Sequence, residues 1–419
     1  MKFGNRTARR IWAGWLAALS VLALSGCWPE ISPRGWELPT ESANPGPAGV
    51  QAPSGTGGIV YGEGTVPLTG EQEGLLHTYM TAAYEALARL ESPDFSFLFT
   101  DPIQARANEC AVELQIGLRT LIPEVDYSLT GYSYVLTCRE TAWREDGGLE
   151  VHLEEASVQN FAQFPGVDSR RGSNSHVFVL EETGAGWRLR AHWEYDILFT
   201  QVAEQVGEEN ASEAYIQAAP GYLSQLRQAW AAREETRGEQ ASLPQAEEPY
   251  DRDEALAYAD RYAMERNWEW PDYSDYGGNC QNFASQCLLA GGIPMDTVGP
   301  NIWKWYGPDP SETVLAEGRS PSWSGVNQFR EYAEENSGFG LSALVDAPYY
   351  SGQSGDLIQM GMEDGLRHTV IIRSLVSGSP GQTADYLIHS NTNDMSNYPA
   401  SLYGYPVFSL VRIAGWNRG

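Results

Sequence analysis

Cysteine and histidine are scarce in this chain, five and six in 419 residues. No CxxC pair occurs and the histidines are scattered, so the sequence offers no zinc ligand set. No motif calls for a metal or cofactor. Positive charge is also short: Lys and Arg total 27 against 55 Asp and Glu, a net charge of −28. That balance excludes nucleic acid and anionic lipid surfaces as partners held by charge. The main apolar run, "IWAGWLAALSVLAL" from Ile11 to Leu24, falls short of the roughly 20 residues a bilayer core requires. No internal repeat is visible.

What is present begins with an export signature. Lys2, Arg6, Arg9 and Arg10 precede the apolar run, as in a secretory signal. "LSGC", Leu24 to Cys27, resembles the bacterial lipobox, which implies cleavage after Gly26 and lipid attachment at Cys27. Loss of residues 1–26 removes four positive charges and no negative ones, taking −28 to −32. The expected location is the outer face of the cytoplasmic membrane, or an outer membrane if the host has one. An anionic wall polymer would be repelled at long range there, so substrate capture has to rely on a local groove.

Composition divides the rest. Residues 27–68 are rich in Pro, Gly, Ser and Thr and read as a flexible tether. Residues 69–209 read as a helix followed by strands, with a hairpin around "TGAG", and look like a cone-shaped α+β domain of the cystatin or nuclear-transport-factor kind. Its histidines, His77, His152, His176 and His192, have no partnered motif and read as ordinary surface or core residues. A polar, helical connector spans 210–248. A second domain, 249–419, opens with Asp251 and Glu254 at capping-box spacing ahead of an apolar helical face. Cys110 and Cys138 either pair, adding about 3 kcal/mol through loop closure, or remain two buried thiols.

The chemistry concentrates in "GGNCQNFASQCLLAGG", residues 277–292. A helix from Asn279 to Ala290 puts Cys280 in the first turn, where unpaired N–H groups and the dipole favour a thiolate. Cys287 falls amid apolar neighbours near the other end and reads as packing. A cysteine nucleophile requires a base and a group to orient it. After Cys280 the chain has only His368 and His389. A hairpin centred on Gly378 and Ser379 would set these two directly opposite each other on one face. His368 then reads as the general base and His389 as its orienting partner, with Asn391 and Asp394 in reserve. Asp356 reads as a turn residue. The backbone N–H of Cys280 is one expected oxyanion donor, with Tyr276, Ser274 or Asn279 as the second. Trp303, Trp305 and Trp323 are candidates to line a substrate groove.

"YDRDEALAYADRYAMERN", "GGNCQNFASQCLLAGGIPM", "SPSWSGVNQFREY", "SGDLIQM", and "HTVIIRS" followed by "HSNTND" together resemble the amidase domain family of the papain-like superfamily, over about residues 249–415. The resemblance implies a nucleophile helix packed on an antiparallel sheet, an amide-hydrolysing Cys–His site at Cys280, His368 and His389, and a wall peptide as substrate. Asn279 departs from the pattern, since the family usually carries an acidic residue there. The competing expectation is a lipid-anchored surface module that keeps the fold and only binds.

Overall fold

The computed structural model describes residues 54–206, 211–274, 277–298, 302–305, 307 and 319–419. The expected leader, Cys27 and Tyr276 lie outside the described residues. Among the described residues no helix is long and apolar enough to cross a membrane.

The first half opens with β1 (Ser54–Tyr61), then α1 (Gly70–Arg89) and α2 (Pro102–Arg119). Thr69 and Gln72 form a capping box at the start of α1. Asp101 caps α2 ahead of Pro102 in its first turn. A meander follows: β2 (Leu129–Trp143), β3 (Leu149–Phe161), β4 (Ser169–Thr183) and β5 (Gly186–Glu194). Alternating burial along β3 turns one face onto α1 and α2. Then come the short α3 (Ile197–Ala203) and the long α4 (Ala211–Glu234).

The second half contains α5 (Arg252–Tyr262), α6 (Cys280–Ala290), α7 (Pro321–Ser324) and α8 (Val326–Glu335), then β6 (Gly340–Ala347), β7 (Leu357–Met362), β8 (Gly365–Ser379), β9 (Gln382–Ser390), β10 (Met395–Pro399) and β11 (Val407–Asn417). Asp251 accepts from Glu254 N and caps α5. The class is α+β. Phe283, Cys287 and Leu288 of α6 pack with Leu357, Ile371 and Val411 of the sheet.

Three expectations change. The two halves share one eleven-stranded sheet, ordered β1-β2-β3-β4-β10-β9-β8-β7-β11-β6, with β5 on β4. The seam is short, Met395 and Ser396 against Arg171 and Arg170, yet one apolar core runs from Leu68 to Leu410 across it. The segment 210–248 is more than a connector: α4 buries Tyr215, Tyr222, Leu226 and Trp230, and Tyr222 donates to Gly404 O at 2.8 Å. Part of the expected tether is also a strand, β1, paired parallel with β2. Its glycines serve contact rather than flexibility, because a Cβ at Gly55 or Gly57 would run into the rings of Tyr132 and Tyr134.

Candidate active site

The chain enters α6 through Gly277 and Gly278, at φ +103° and +117°, a conformation costly for any side chain. Gly278 N donates to Tyr273 O at 3.1 Å. Asn279 follows as a buried junction. Its Oδ1 accepts from Tyr273 N (3.0 Å) and Asn282 Nδ2 (2.7 Å), its Nδ2 donates to Asn391 Oδ1 (2.6 Å), and its N–H donates to Thr392 Oγ1 (2.6 Å). Asn391 in turn donates to Tyr262 O and Glu265 O. Asn279 therefore ties the helix start to the β9–β10 turn. Its amide is committed to that bond and is not available to an oxyanion.

Cys280 is 5% exposed. Burial pushes its thiol up from the ordinary range, against the opposing pull of the backbone N–H groups of Thr369, Gln281 and Cys280 itself. The helix start favours the thiolate as expected, but desolvation is the larger effect. Cys287, wholly buried, is pushed up well above its ordinary range by burial. From beneath, Thr369 Oγ1 donates to Gln281 Oε1 at 2.8 Å and fastens α6 to β8.

His368 lies on β8, 4% exposed. Its Nε2 is 2.9 Å from Ser390 Oγ and 3.3 Å from the Tyr403 hydroxyl. Ser390 Oγ also lies 3.2 Å from Thr392 O. The contact with Ser390 holds the imidazole by Nε2 and leaves Nδ1 as the nitrogen free to take a proton in the neutral ring that carries its hydrogen on Nε2. Burial pushes the ring down to about 4, so it is neutral at physiological pH. Tyr403 is a neighbour of both His368 and Cys280: its ring centroid is 5.0 Å from that of His368. Burial, and the nearby Cys280, raise its phenol. Burial and then Cys280 likewise push Tyr405 up to about 12.

The opposed-histidine register is not what forms. The β8–β9 hairpin turns at Pro380 and Gly381, between the paired Ser379 and Gln382, and carries bulges, so His389 faces Ile371 rather than His368. An offset of three residues is odd and sends the two imidazoles to opposite faces. Ser390, one step along, shares the face of His368 and takes the orienting position. His389 accepts from Asn397 N at 3.2 Å through Nδ1 and donates to Asp260 at 2.8 Å through Nε2, clamping α5 to the sheet. The reserves are occupied elsewhere: Asn391 with Asn279, and Asp394 in a pair with Arg266 at 3.0 Å. Asp356 is buried between Arg252 and Arg412.

Other candidates also fall away from the site. Ser274 bonds to Asp272. Trp303 and Trp323 are both 0% exposed, donating to Ser285 Oγ (3.0 Å) and Asn282 Oδ1 (2.7 Å). They are core, not groove. Trp305 stacks near Trp270, centroids 5.0 Å apart. Cys110 and Cys138 are buried free thiols. His176 and His192 are core residues in a polar network with Glu155 and Asn108.

The residues that sequence reasoning missed are Ser390, Tyr403 and Tyr405. Ser390 sat between two weighed neighbours, and the period-two alternation of β9 was the signal that would have found it. Tyr403 closes a 3₁₀ turn, Ala400–Tyr403, with Tyr405 just beyond it, and neither carries a periodic signal.

No solved structure matches this chain. "Uncharacterized protein YhbB" of Bacillus subtilis (strain 168) is 34% identical over 125 residues, 29% of this chain and 37% of that protein. The match thus spans just over a third of the relative's length. Residues 249–407 match the family model described as "Putative amidase domain", a match that suggests amidase-type hydrolysis for the half of the chain that holds Cys280 and His368.

Proposed function

We propose that the second half of the chain is a cysteine amidohydrolase, with Cys280 as nucleophile and His368 as general base. The observation that carries this is the neighbour the two groups share: the Tyr403 hydroxyl is 3.3 Å from His368 Nε2, and Cys280 is near enough to raise the same phenol. The resting pair is neutral, thiol and imidazole, because burial disfavours both charged forms. His368 takes the thiol proton as sulfur attacks the carbonyl carbon. The backbone N–H of Cys280 receives the oxyanion. The imidazolium then protonates the leaving amine as the C–N bond breaks. Water, deprotonated by His368, hydrolyses the thioester and restores the thiol.

The substrate class is an amide or peptide, with a cell-wall peptide favoured by the export signature. The protein acts outside the cytoplasm, held to the membrane by lipid on Cys27. Cys27→Ala should abolish lipid labelling and release protein into the medium; unchanged retention rejects the anchor. For the chemistry, purified wall and a panel of peptides are digested with wild type and Cys280→Ala, and products are read by mass. Cleavage by wild type alone is expected. Equal cleavage by both rejects the nucleophile.

The 5% exposure of Cys280 favours one second reading, a surface module that binds without hydrolysis. Binding and cleavage measured side by side separate them: wild type that binds wall peptides and cleaves none of them supports the binding module.

A further inference from the structure

Among the described residues Arg119, the last residue of α2, is a buried cation with no carboxylate partner, and its nearest answering group is the phenol of Tyr398. It is 2% exposed. Nη1 donates to Gln115 O at 3.3 Å and Nη2 to Gln159 Oε1 at 2.9 Å, while Nε has no hydrogen-bond partner. Burial pulls its guanidinium below the ordinary range, and the like charge of Arg171 pulls the same way. Neighbouring Arg171 is better answered, by Asp196 at 3.7 Å and by the nearby charges of Glu155 and Glu194. Its Nε is also unpartnered. Asp196 meanwhile accepts from Phe199 N.

Both arginines line a narrow crevice of about 20 Å³, partly open to solvent, with Asp196, Tyr398 and Tyr403 in its wall. A charge taken out of water without a partner is costly, and proteins relieve it by pairing. Here the space for a partner lies beside the charge. Tyr403 is a shared wall, since its hydroxyl also touches His368.

We propose that this crevice binds a carboxylate of the substrate on Arg119, selecting amides whose scissile bond lies close to a free carboxyl group. Calling the ligand a substrate rests on the hydrolytic reading above; binding of the carboxylate does not. Arg171 offsets Asp196, so the uncompensated charge at the crevice is that of Arg119. A local guanidinium of this kind is also how a chain of net charge −28 would hold an anionic ligand that its overall field repels.

The test is calorimetric titration of Cys280→Ala protein with N-acetyl-alanyl-alanine and with its C-terminal amide. The acid should bind at least roughly tenfold more tightly, as expected of a charge-assisted bidentate contact. Arg119→Gln should erase the difference, and Arg119→Lys should keep part of it. Equal binding of acid and amide overturns the proposal, as does an acid preference that survives Arg119→Gln. Should that variant not fold, the wild-type melting temperature in sodium acetate against sodium chloride at equal ionic strength decides instead. Higher stability in acetate supports the site, and equality overturns it. Acid preference without hydrolysis by wild type would retain the carboxylate site and reject the amidohydrolase.

Discussion

Ser390→Ala isolates the orienting bond from the rest of the site. The substitution removes only the oxygen 2.9 Å from His368 Nε2, a side chain 0% exposed on a strand edge shared with β10. A buried hydrogen bond lost in this way costs about 1–3 kcal/mol, which is roughly fivefold to 160-fold in rate. The Tyr403 hydroxyl at 3.3 Å remains as a longer, weaker partner and holds the loss near the lower end. Adding Tyr403→Phe leaves Nε2 with neither partner and should take the loss beyond a hundredfold. The assay is kcat and KM against the best amide found, over a range of pH. Because the bond orients the imidazole and does not touch the substrate, kcat should fall with KM nearly unchanged. The acid limb of the wild-type profile should lie low, since burial holds His368 at about 4. Full activity in Ser390→Ala would refute the assignment, above all if His389→Leu were the variant that lost activity.

Three further outcomes follow from the same geometry. His389→Leu strands the buried N–H of Asn397 and releases Asp260, so chemical denaturation should show a loss of about 1–3 kcal/mol while the folded fraction keeps its kcat. Cys287→Ala removes a wholly buried sulfur from the α6 core and should cost about 1 kcal/mol of stability with activity intact. Alkylation of Cys280 should accelerate steadily as pH rises through the alkaline range, because burial raises the thiol and depresses its base; a rate plateau from pH 5 to 8, the mark of a preformed thiolate–imidazolium pair, would contradict that.

Local signals in the sequence carried far. The Asp251 cap, the glycines on both sides of α6 and the alternation of β2 to β5 each depend on a few neighbouring residues, and each formed where its pattern pointed. What was not legible depends on distant partners. "SGTGG" reads as flexible by composition, and only the rings of Tyr132 and Tyr134, more than seventy residues on, make small residues there a packing requirement. The seam between β4 and β10 joins residues more than two hundred apart through two pairs, too few to leave a pattern on either strand.

The site divides along the same line. Cys280 and His368 were visible because chemistry restricts which residue types can serve, and few of those types were available. Their relation was not, because a hairpin register depends on where the turn forms. "SGSPGQT" offers several turn positions, and Pro380 with Gly381 at φ +78° took it. One odd step of slip exchanges the faces of a whole strand. Under the proposed mechanism this hands the orienting role from an imidazole to a serine hydroxyl, and that changes the chemistry. A second imidazole would have had to titrate alongside the first, whereas a serine hydroxyl stays neutral across the working pH range. Burial completes the proposal, since surroundings that disfavour charge on both sulfur and ring would hold the proton on Cys280 until a carbonyl arrives to be attacked.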